Sequence, residues 1–535
     1  MSVIKNLIVF TALCLFPFAQ GNAQMESNGF GTIHNDVFWN TTDGKPLYSH
    51  GGGIFRFTDP VTGKKKYYWY GVRYKGSEEY RKDPSVTLDK FIFDGVTCYT
   101  SENLVDWIYE GDVLTYNEIA RHENVTWVGR LGVAYIPEKK QYALVVQCGN
   151  EVLFATSDTP AGQFRWQHKK NMTSLIGTSN TGDQTVFYDE DSQKSYLVYS
   201  YGRGRSKIYI SEIGVRDGKI DLLDCIQVFK GASREGNCMF KYKGRYYMCA
   251  SNIYGWDASF AYYLVSDDIH GPYVPIDDMQ VMQGCDKDYA HVSQTGFFYT
   301  IRGSKQETVV FCGDRWACFA GNGLGYNQWV PLSFDGNAHP IFNSLSSWSI
   351  NHKTGEWHVN HDNNYVLNGS FEADRRSIPN AVKPRQEYLL GWNTEIFKGR
   401  LVSVEDSLSP KLNHFNTRED RRHVIGEKSL CISDREEFVR KVSQVIESTS
   451  TLPLPNGEYM LTAKARRIGK FRKMMMYAIS NGKKYQCRIK PSFTEWTTIS
   501  IPKFMIGKGK VEIGFEADGY PNAECLIDDV VLYRK

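Results

Sequence analysis

The chain has no CxxC pair, no long basic run and no long amphipathic helical pattern, and each absence removes a class of protein. Eleven of its 12 cysteines lie beyond residue 23, and an odd number without close pairs argues against a disulfide framework or a zinc site. Most are read as small buried hydrophobes. Basic residues number 63 and acidic residues 60, a net charge of +3 with nothing to concentrate it, so a nucleic-acid partner leaves no footprint. The longest apolar stretch, Leu7 to Phe18, is too short for a good membrane span. It follows Lys5 and precedes Gly21-Asn22-Ala23, which reads as a secretory signal peptide over residues 1–23. Cys14 raises a lipoprotein as the alternative, but Leu13 stands where a small residue is expected before a lipid-bearing cysteine. The expectation is a soluble exported protein, periplasmic or extracellular, with no transmembrane segment and a monomeric state.

What the chain does have is aromatic residues, 14% of the total with 33 Tyr and 12 Trp, a composition that suits strands. It also has a repeat. Five segments open on a small or polar group, run into an apolar strand, turn on a Lys/Gly/Asp cluster and return as an aromatic strand. Their opening residues are His50, Gly129, Asp183, Glu235 and Ser293, spaced 79, 54, 52 and 58 residues apart. A period near 50 with several strands per unit predicts an all-β chain containing a five-bladed β-propeller over residues 30–360. Cys98, Leu153, Ile208 and Tyr262 begin secondary echoes, read as third strands, and Lys75 to Asp83 reads as a charged loop on one rim. Beyond Ser346 the pattern changes. Short alternating strands over residues 361–535 predict a second, β-sandwich domain.

In a propeller the residues opening the inner strands converge on one axis. Here these include Asp183, Glu235, Gln294 and His50. Two carboxylates near one axis repel, which raises the pKa of at least one, and a carboxylic acid kept protonated is what glycoside hydrolysis needs. The plainer account is structural: Arg130 and Arg234 would neutralise these acids, His50 would line a channel, and Asp314-Arg315-Trp316 would be an ion pair packing one sheet. Trp127, Trp256 and Tyr326 are either sugar platforms or core.

The motifs His50-GGG, YYWYG (Tyr67 to Gly71), SREGNCMFKYKGRYYM (Ser233 to Met248), Ser293-Gln294-Thr295 and GDRW (Gly313 to Trp316) together resemble glycoside hydrolase family 43. The likeness is closest to its exo-β-1,3-galactanase branch. This resemblance implies an inverting, exo-acting hydrolase of oligo- or polysaccharides that needs no cofactor. Carried over residue by residue, Glu235 matches the general acid and Asp183 the carboxylate that tunes and orients it. Gln294 matches the residue proposed in that branch to stand in for a base, through its imidic tautomer or by holding water. His50, Arg130, Trp256, Asp314 and Arg315 are the candidate substrate contacts. Most of the family places an Asp at the opening of the first blade, where this chain has Ser49-His50-Gly51. Asp43, Glu78 and Glu79 are the candidate replacement bases. Two positions depart from the branch pattern: Val72 and Gly129 stand where it carries Glu. They leave open an α-L-arabinofuranosidase, a β-xylosidase or a non-catalytic glycan-binding propeller, while a protein-interaction propeller is disfavoured by the axial acids.

The C-terminal module opens Asn368-Gly-Ser-Phe-Glu372 and closes Ile527-Asp-Asp529-Val530, resembling galactose-binding-like (jelly-roll) sandwiches common as carbohydrate-binding modules. That likeness implies either a structural calcium at Glu372 and Asp529 or a pair of ordinary edge carboxylates. Trp392 and Trp496 are its candidate binding residues.

Overall fold

The structure, a computed structural model, describes residues 29–82, 88, 90–125, 127–149, 151–256, 258–276, 278–316, 326–373, 389–399, 411–413 and 429–535. The expected signal peptide, Asp83 and the side chain of Tyr326 lie outside them.

The described chain is nearly all β. Five antiparallel meanders follow one another. The first sheet holds His50–Thr58, Lys65–Tyr74, Phe93–Ser101 and Ile108–Thr115; the second Val128–Ile136, Gln141–Cys148, Glu151–Ser157 and Arg165–Lys170. The third holds Thr181–Asp189, Lys194–Tyr201, Lys207–Arg216 and Lys219–Leu222, with Ile226–Lys230 also paired to its third strand. The fourth holds Glu235–Tyr242, Arg245–Ser251, Ala261–Ser266 and Gln280–Val281; the fifth Gln294–Arg302, Glu307–Arg315, Tyr326–Phe334 and Pro340–Phe342. Cys98, Leu153, Ile208 and Tyr262 all lie in third strands. The first strand of each sheet packs on the first strand of the next, and that of the fifth returns to that of the first. Gly31–His34 pairs with Ser347–Ile350, tying the chain before the first sheet to the chain after the fifth.

Aromatic second strands follow from this stacking. A sheet covered on both sides must be apolar on both faces. In Lys194–Tyr201, Leu197 and Tyr199 enter one core with Val133 and Val146 of the second sheet. Tyr196 and Val198, pointing the other way, enter another with Met239 and Met248 of the fourth.

The C-terminal part forms two five-stranded sheets around one core. One has Phe438–Glu447, Lys510–Gly519 and Phe471–Ser480 at its centre; the other has Ser429–Ser433, Glu524–Arg534 and Gly457–Ile468. Gly457–Ile468 alternates between buried and half-exposed positions, as a strand wet on one face does.

Lys75–Lys82 is an α-helix, not the expected loop, with Glu78 and Lys82 paired one turn apart. Among the described residues there is no helix long and apolar enough to cross a membrane, and every described cysteine is free.

A distortion recurs in all five first strands. Each loses register with its neighbour within its opening residues: between His50 and Gly53, Val128 and Leu131, Thr181 and Gln184, Glu235 and Cys238, and Thr295 and Phe297. A bulge re-aims side chains and needs room for the backbone, which is why glycine stands in every one. A Cβ on Gly52 would lie 1.7 Å from the Tyr70 carbonyl oxygen, and one on Gly236, at φ +60°, 2.6 Å from that of Thr295. Gly52→Ala should therefore cost about 1–3 kcal/mol or more of stability. Gly336→Ala, where nothing lies within 4 Å, should be neutral in the same urea titration. Equal midpoints for the two variants would show that the bulge tolerates a side chain.

Candidate active site

The bulges deliver their side chains to one place. Arg130, 3% exposed, is at the centre of it. Its Nε donates to Asp183 Oδ2 at 3.1 Å, Nη1 to Asp314 Oδ2 at 3.0 Å and Nη2 to Gln294 Oε1 at 2.8 Å. One guanidinium thus joins the second, third and fifth sheets. Asp314 also accepts from the Gly51 N–H of the first sheet at 3.0 Å, and Asp183 from the Gly236 N–H of the fourth at 2.9 Å. Gln294 Nε2 donates to Glu235 Oε1 at 2.8 Å and to Ser251 Oγ at 3.1 Å. Arginine has no acceptor, so the Gln294 amide must present its oxygen to Arg130 and its nitrogen to Glu235.

Burial alone would raise the Asp183 carboxyl. The Arg205 and Arg130 charges and the Gly236 N–H outweigh it and hold its pKa below the ordinary carboxylate range. The same acids push Arg130 and Arg205 up against their own desolvation. Asp183 is therefore an ionised neighbour of Glu235.

Sequence reasoning missed Arg205. It lies on the turn Gly202-Arg203-Gly204-Arg205 after the second strand of the third sheet, with its Nη1 on Glu235 Oε2 and 3.5 Å from Asp183 Oδ1. The visible signal was two arginines set among glycines in a turn three strands ahead of Glu235. Arg234, expected to neutralise the axial acids, does not reach them. It pairs with Asp278 at 2.7 Å and lies 4.0 Å over the Tyr262 ring. A residue flanking a bulge on its outer side points outward.

Of the other candidates, Asp314 joins the cluster. His50 stacks against Trp316 at 5.0 Å, and Trp256 meets Trp316 edge-on at 5.1 Å. Trp127 lies 6.5 Å from Trp256, and Arg130 5.9 Å from the Trp316 ring, so the cluster has an aromatic wall on its Arg130 side. Arg315 points away and faces Asp36 at 3.8 Å. Asp43 is held by Lys45 and Thr41, and Glu78 by Lys82; Glu79 is exposed. Val72 is buried, paired in register with His50. Gly129 has a steric cause: the Trp127 ring is folded so closely on it that a Cβ would lie 2.3 Å from the ring. An indole thus occupies the space beside Gly129.

In the C-terminal part, Val530 N–H donates to Gly369 O at 3.0 Å, which sets the opening segment beside the closing strand. Among the described residues no three His, Cys, Asp or Glu side chains gather as a metal site. A calcium at Glu372 and Asp529 would therefore draw most of its ligands from other oxygens. Trp392 is buried against Phe371 and Phe515 and belongs to the core; Trp496 is half-buried.

Gln294 is aimed by an unusual turn. Tyr289, Ala290, His291 and Val292 all have left-handed backbone, φ +49° to +55°. Each such non-glycine residue costs roughly 1–2 kcal/mol, so the turn must be clamped. His291 Nε2 bonds Asp36 at 2.9 Å, its Nδ1 bonds Ser344 Oγ at 2.7 Å, and Ser344 donates to Asp288. Burial opposes the charged ring, but Asp36 and Asp288 outweigh it and hold His291 at about 10. Desolvation likewise opposes the Asp36 charge, yet His291 and Arg315 lower it to about 2. A raised histidine contributes its full stability below its unfolded value of 6.5 and loses it as pH climbs through about 10. A lowered Asp contributes above 3.8 and loses it as pH falls through about 2. The stability difference between wild type and His291→Gln should accordingly be widest near pH 6 and narrower at pH 9, read from melting temperatures. A gap independent of pH would show that the histidine is not charged.

Residues 61–320 match the model of glycosyl hydrolases family 43. Among solved structures, the chain is similar to an exo-β-1,3-galactanase from Phanerochaete chrysosporium, seen as a variant with β-1,3-galactotriose. That likeness has 20% identity and a TM-score of 0.52, over 94% of this chain and 100% of that one. It is also similar to an exo-β-1,3-galactanase from Clostridium thermocellum, at 20% identity and TM-score 0.51, over 77% of this chain and 81% of that one. No curated protein matches in sequence. At this identity the structural likeness speaks to fold; the family match speaks to chemistry. Residues 61–320 thus carry the glycosyl hydrolases family 43 match, and the protein is a glycosidase that hydrolyses glycosidic bonds.

Proposed function

We propose that the protein is an exo-acting, inverting hydrolase of β-1,3-linked galactan chains of the arabinogalactan type. The observation that carries this reading is the bonded set Glu235, Gln294, Arg130 and Asp183, with His50 rather than a carboxylate opening the first sheet. The two galactanases similar in fold support the choice of sugar. Glu235 is the general acid that protonates the leaving oxygen. Asp183, kept ionised by its arginines, disfavours a second negative charge beside it and so favours the protonated acid. Both N–H groups of Gln294 are used, on Glu235 and Ser251, while its oxygen keeps a second lone pair beside the Arg130 bond. That lone pair orients the attacking water; with a cation on its oxygen and a carboxylate on its nitrogen, the amide is polarised toward the imidic form. Asp314 holds Arg130, His50 and Trp256 contribute to the wall that meets the sugar, and no metal enters the chemistry.

The same reading makes the five stacked sheets the blades of a five-bladed propeller over residues 30–360, and the two C-terminal sheets a carbohydrate-binding-like sandwich over residues 361–535. It has the chain exported after cleavage of residues 1–23 and working as a monomer. A calcium in the sandwich would take Glu372 and Asp529 as its charged ligands. One observation favours another terminal sugar: Trp127 lies beside Gly129, where the galactanase pattern carries an acid. Losing a charge-assisted hydrogen bond to a hydroxyl removes about 1.5–3 kcal/mol of recognition.

Incubation with β-1,3-galactan and with arabino- and xylo-oligosaccharides should release galactose alone, first as the inverted α-anomer by NMR. Arabinose or xylose as product would overturn the choice of sugar, and a β-anomer the inverting course. Glu235→Ala should leave less than about a hundredth of the activity, given the 10²–10⁴-fold worth of acid catalysis; more would remove Glu235 as the acid. Asp183→Asn should lower the pH at which the protonated acid is lost, moving the basic limb of the rate profile down. An unmoved limb would remove its tuning role.

A further inference from the structure

The glycosidase chemistry requires a proton on Glu235, and the structure surrounds that carboxyl with partners that favour its ionised form. Its Oε1 accepts from Gln294 Nε2 at 2.8 Å, and its Oε2 accepts from Arg205 Nη1. Both partners are donors and one of them is a cation, and donors and cations beside a carboxylate favour its charged form; each oxygen keeps a second lone pair that can take a proton once the cation leaves. The geometry of this arrangement, a guanidinium on one oxygen and an amide N–H on the other, favours the ionised Glu235.

We propose that Arg205 is a positioning residue that holds Glu235 in this ionised resting form, and that sugar entering the site displaces the guanidinium and a proton takes its place. The proposal rests on the reading of Glu235 as the general acid and adds the regulation of that acid.

Arg205 is the partner able to leave. Arg130 donates to three acceptors and is 3% exposed, whereas the Arg205 side chain is 27% exposed, with one close contact and one at 3.5 Å. Its backbone need not move. Arg234 N–H donates to Arg205 O at 2.9 Å, and Ser233 Oγ donates to Gly204 O, so the turn is fastened to the segment leading into Glu235. Only the side chain has to swing outward.

Charge balance supplies the coupling. Among the described residues, the groups facing Glu235 include Asp183 and Arg205 of the third sheet, Gln294 of the fifth, Ser251 of its own sheet and, behind Gln294, Arg130 with Asp314. Among these groups, with Arg205 in place, two cations, Arg205 and Arg130, stand with three carboxylates, Glu235, Asp183 and Asp314. With Arg205 gone and Glu235 still ionised, one cation faces three. Uptake of one proton from solvent by a Glu235 oxygen restores the original balance. Arg234, adjacent in sequence, cannot serve instead because it is engaged with Asp278 and Tyr262. That proton is the one passed to the leaving oxygen, and the attacking water later returns one to solvent.

Arg205→Gln keeps a donor of similar reach and removes the charge. Two readouts separate this proposal from the hydrolase reading. The first needs no activity: a carbon-13-edited infrared titration of the carboxyl band that Glu235→Gln abolishes. In Arg205→Gln that band should titrate about one pH unit or more higher than in wild type, the usual effect of removing an adjacent cation. The second is the rate profile on whichever oligosaccharide is cleaved, whose basic limb at low substrate should move up by the same amount. An infrared midpoint unchanged by Arg205→Gln overturns the proposal, whatever the enzyme releases. A shifted midpoint with no sugar released supports the gate and overturns the assignment of substrate. Sugar release with a shifted midpoint but a fixed limb overturns the displacement step.

Discussion

The buried Arg130 guanidinium is the constraint on which the centre of this molecule depends. It reaches Asp183, Asp314 and Gln294 on two other sheets, and Asp314 in turn holds the Gly51 N–H of the first. A buried charge pair with one partner removed leaves the other uncompensated, a penalty of about 3–5 kcal/mol. The arginine therefore could not be replaced without loosening the convergence of the strands. It also sets the electrostatics of the cluster: together with Arg205 it outweighs burial and keeps Asp183 ionised, and it fixes which end of the Gln294 amide faces Glu235. On the proposed reading, one side chain serves stability and function together because both require the same charges brought together out of water.

Around this centre the backbone is bent to fit. Regular strands would send successive side chains to alternate faces. The five bulges break that alternation at the point where residues must turn toward each other, and glycine appears there because a neighbouring backbone or side chain lies where Cβ would be. On the fifth strand the device is stronger. Four left-handed residues precede Ser293, and the His291, Asp36, Ser344 and Asp288 network holds them. Strain of this kind persists only when surrounding contacts over-determine it. The contacts doing so include Asp36, from the segment that runs on from Gly31–His34, so the pairing that ties the two ends of the ring also bears on Gln294.

The wall of the site follows a different logic from its floor. Acids and arginines form the floor, while His50, Trp127, Trp256 and Trp316 form an aromatic side. Indole faces recognise the apolar face of a pyranose; carboxylates recognise its hydroxyls. On the proposed reading, the Trp127 indole beside Gly129 offers the first kind of recognition at a place where an acid would offer the second.

The sequence by itself determined the repeat, and with it the positions of Asp183, Glu235 and Gln294 at the starts of strands. Those positions depend on local pattern: an apolar strand, a turn, an aromatic strand, a glycine at each opening. It also determined the change of architecture after Ser346, for the same reason. Tertiary structure decided which charges meet. Arg130 and Arg234 look equivalent in the sequence, each beside a strand opening, yet one lies inside a bulge and turns inward while the other lies outside it and pairs with Asp278. Arg205, in a glycine turn of no evident importance, arrives beside Glu235 because the third and fourth sheets stack, and Arg315 departs from the cluster because it alternates with Asp314 along one strand. Local periodicity places a residue on a strand. Its partner across the axis is set by long-range packing, which no window of sequence contains.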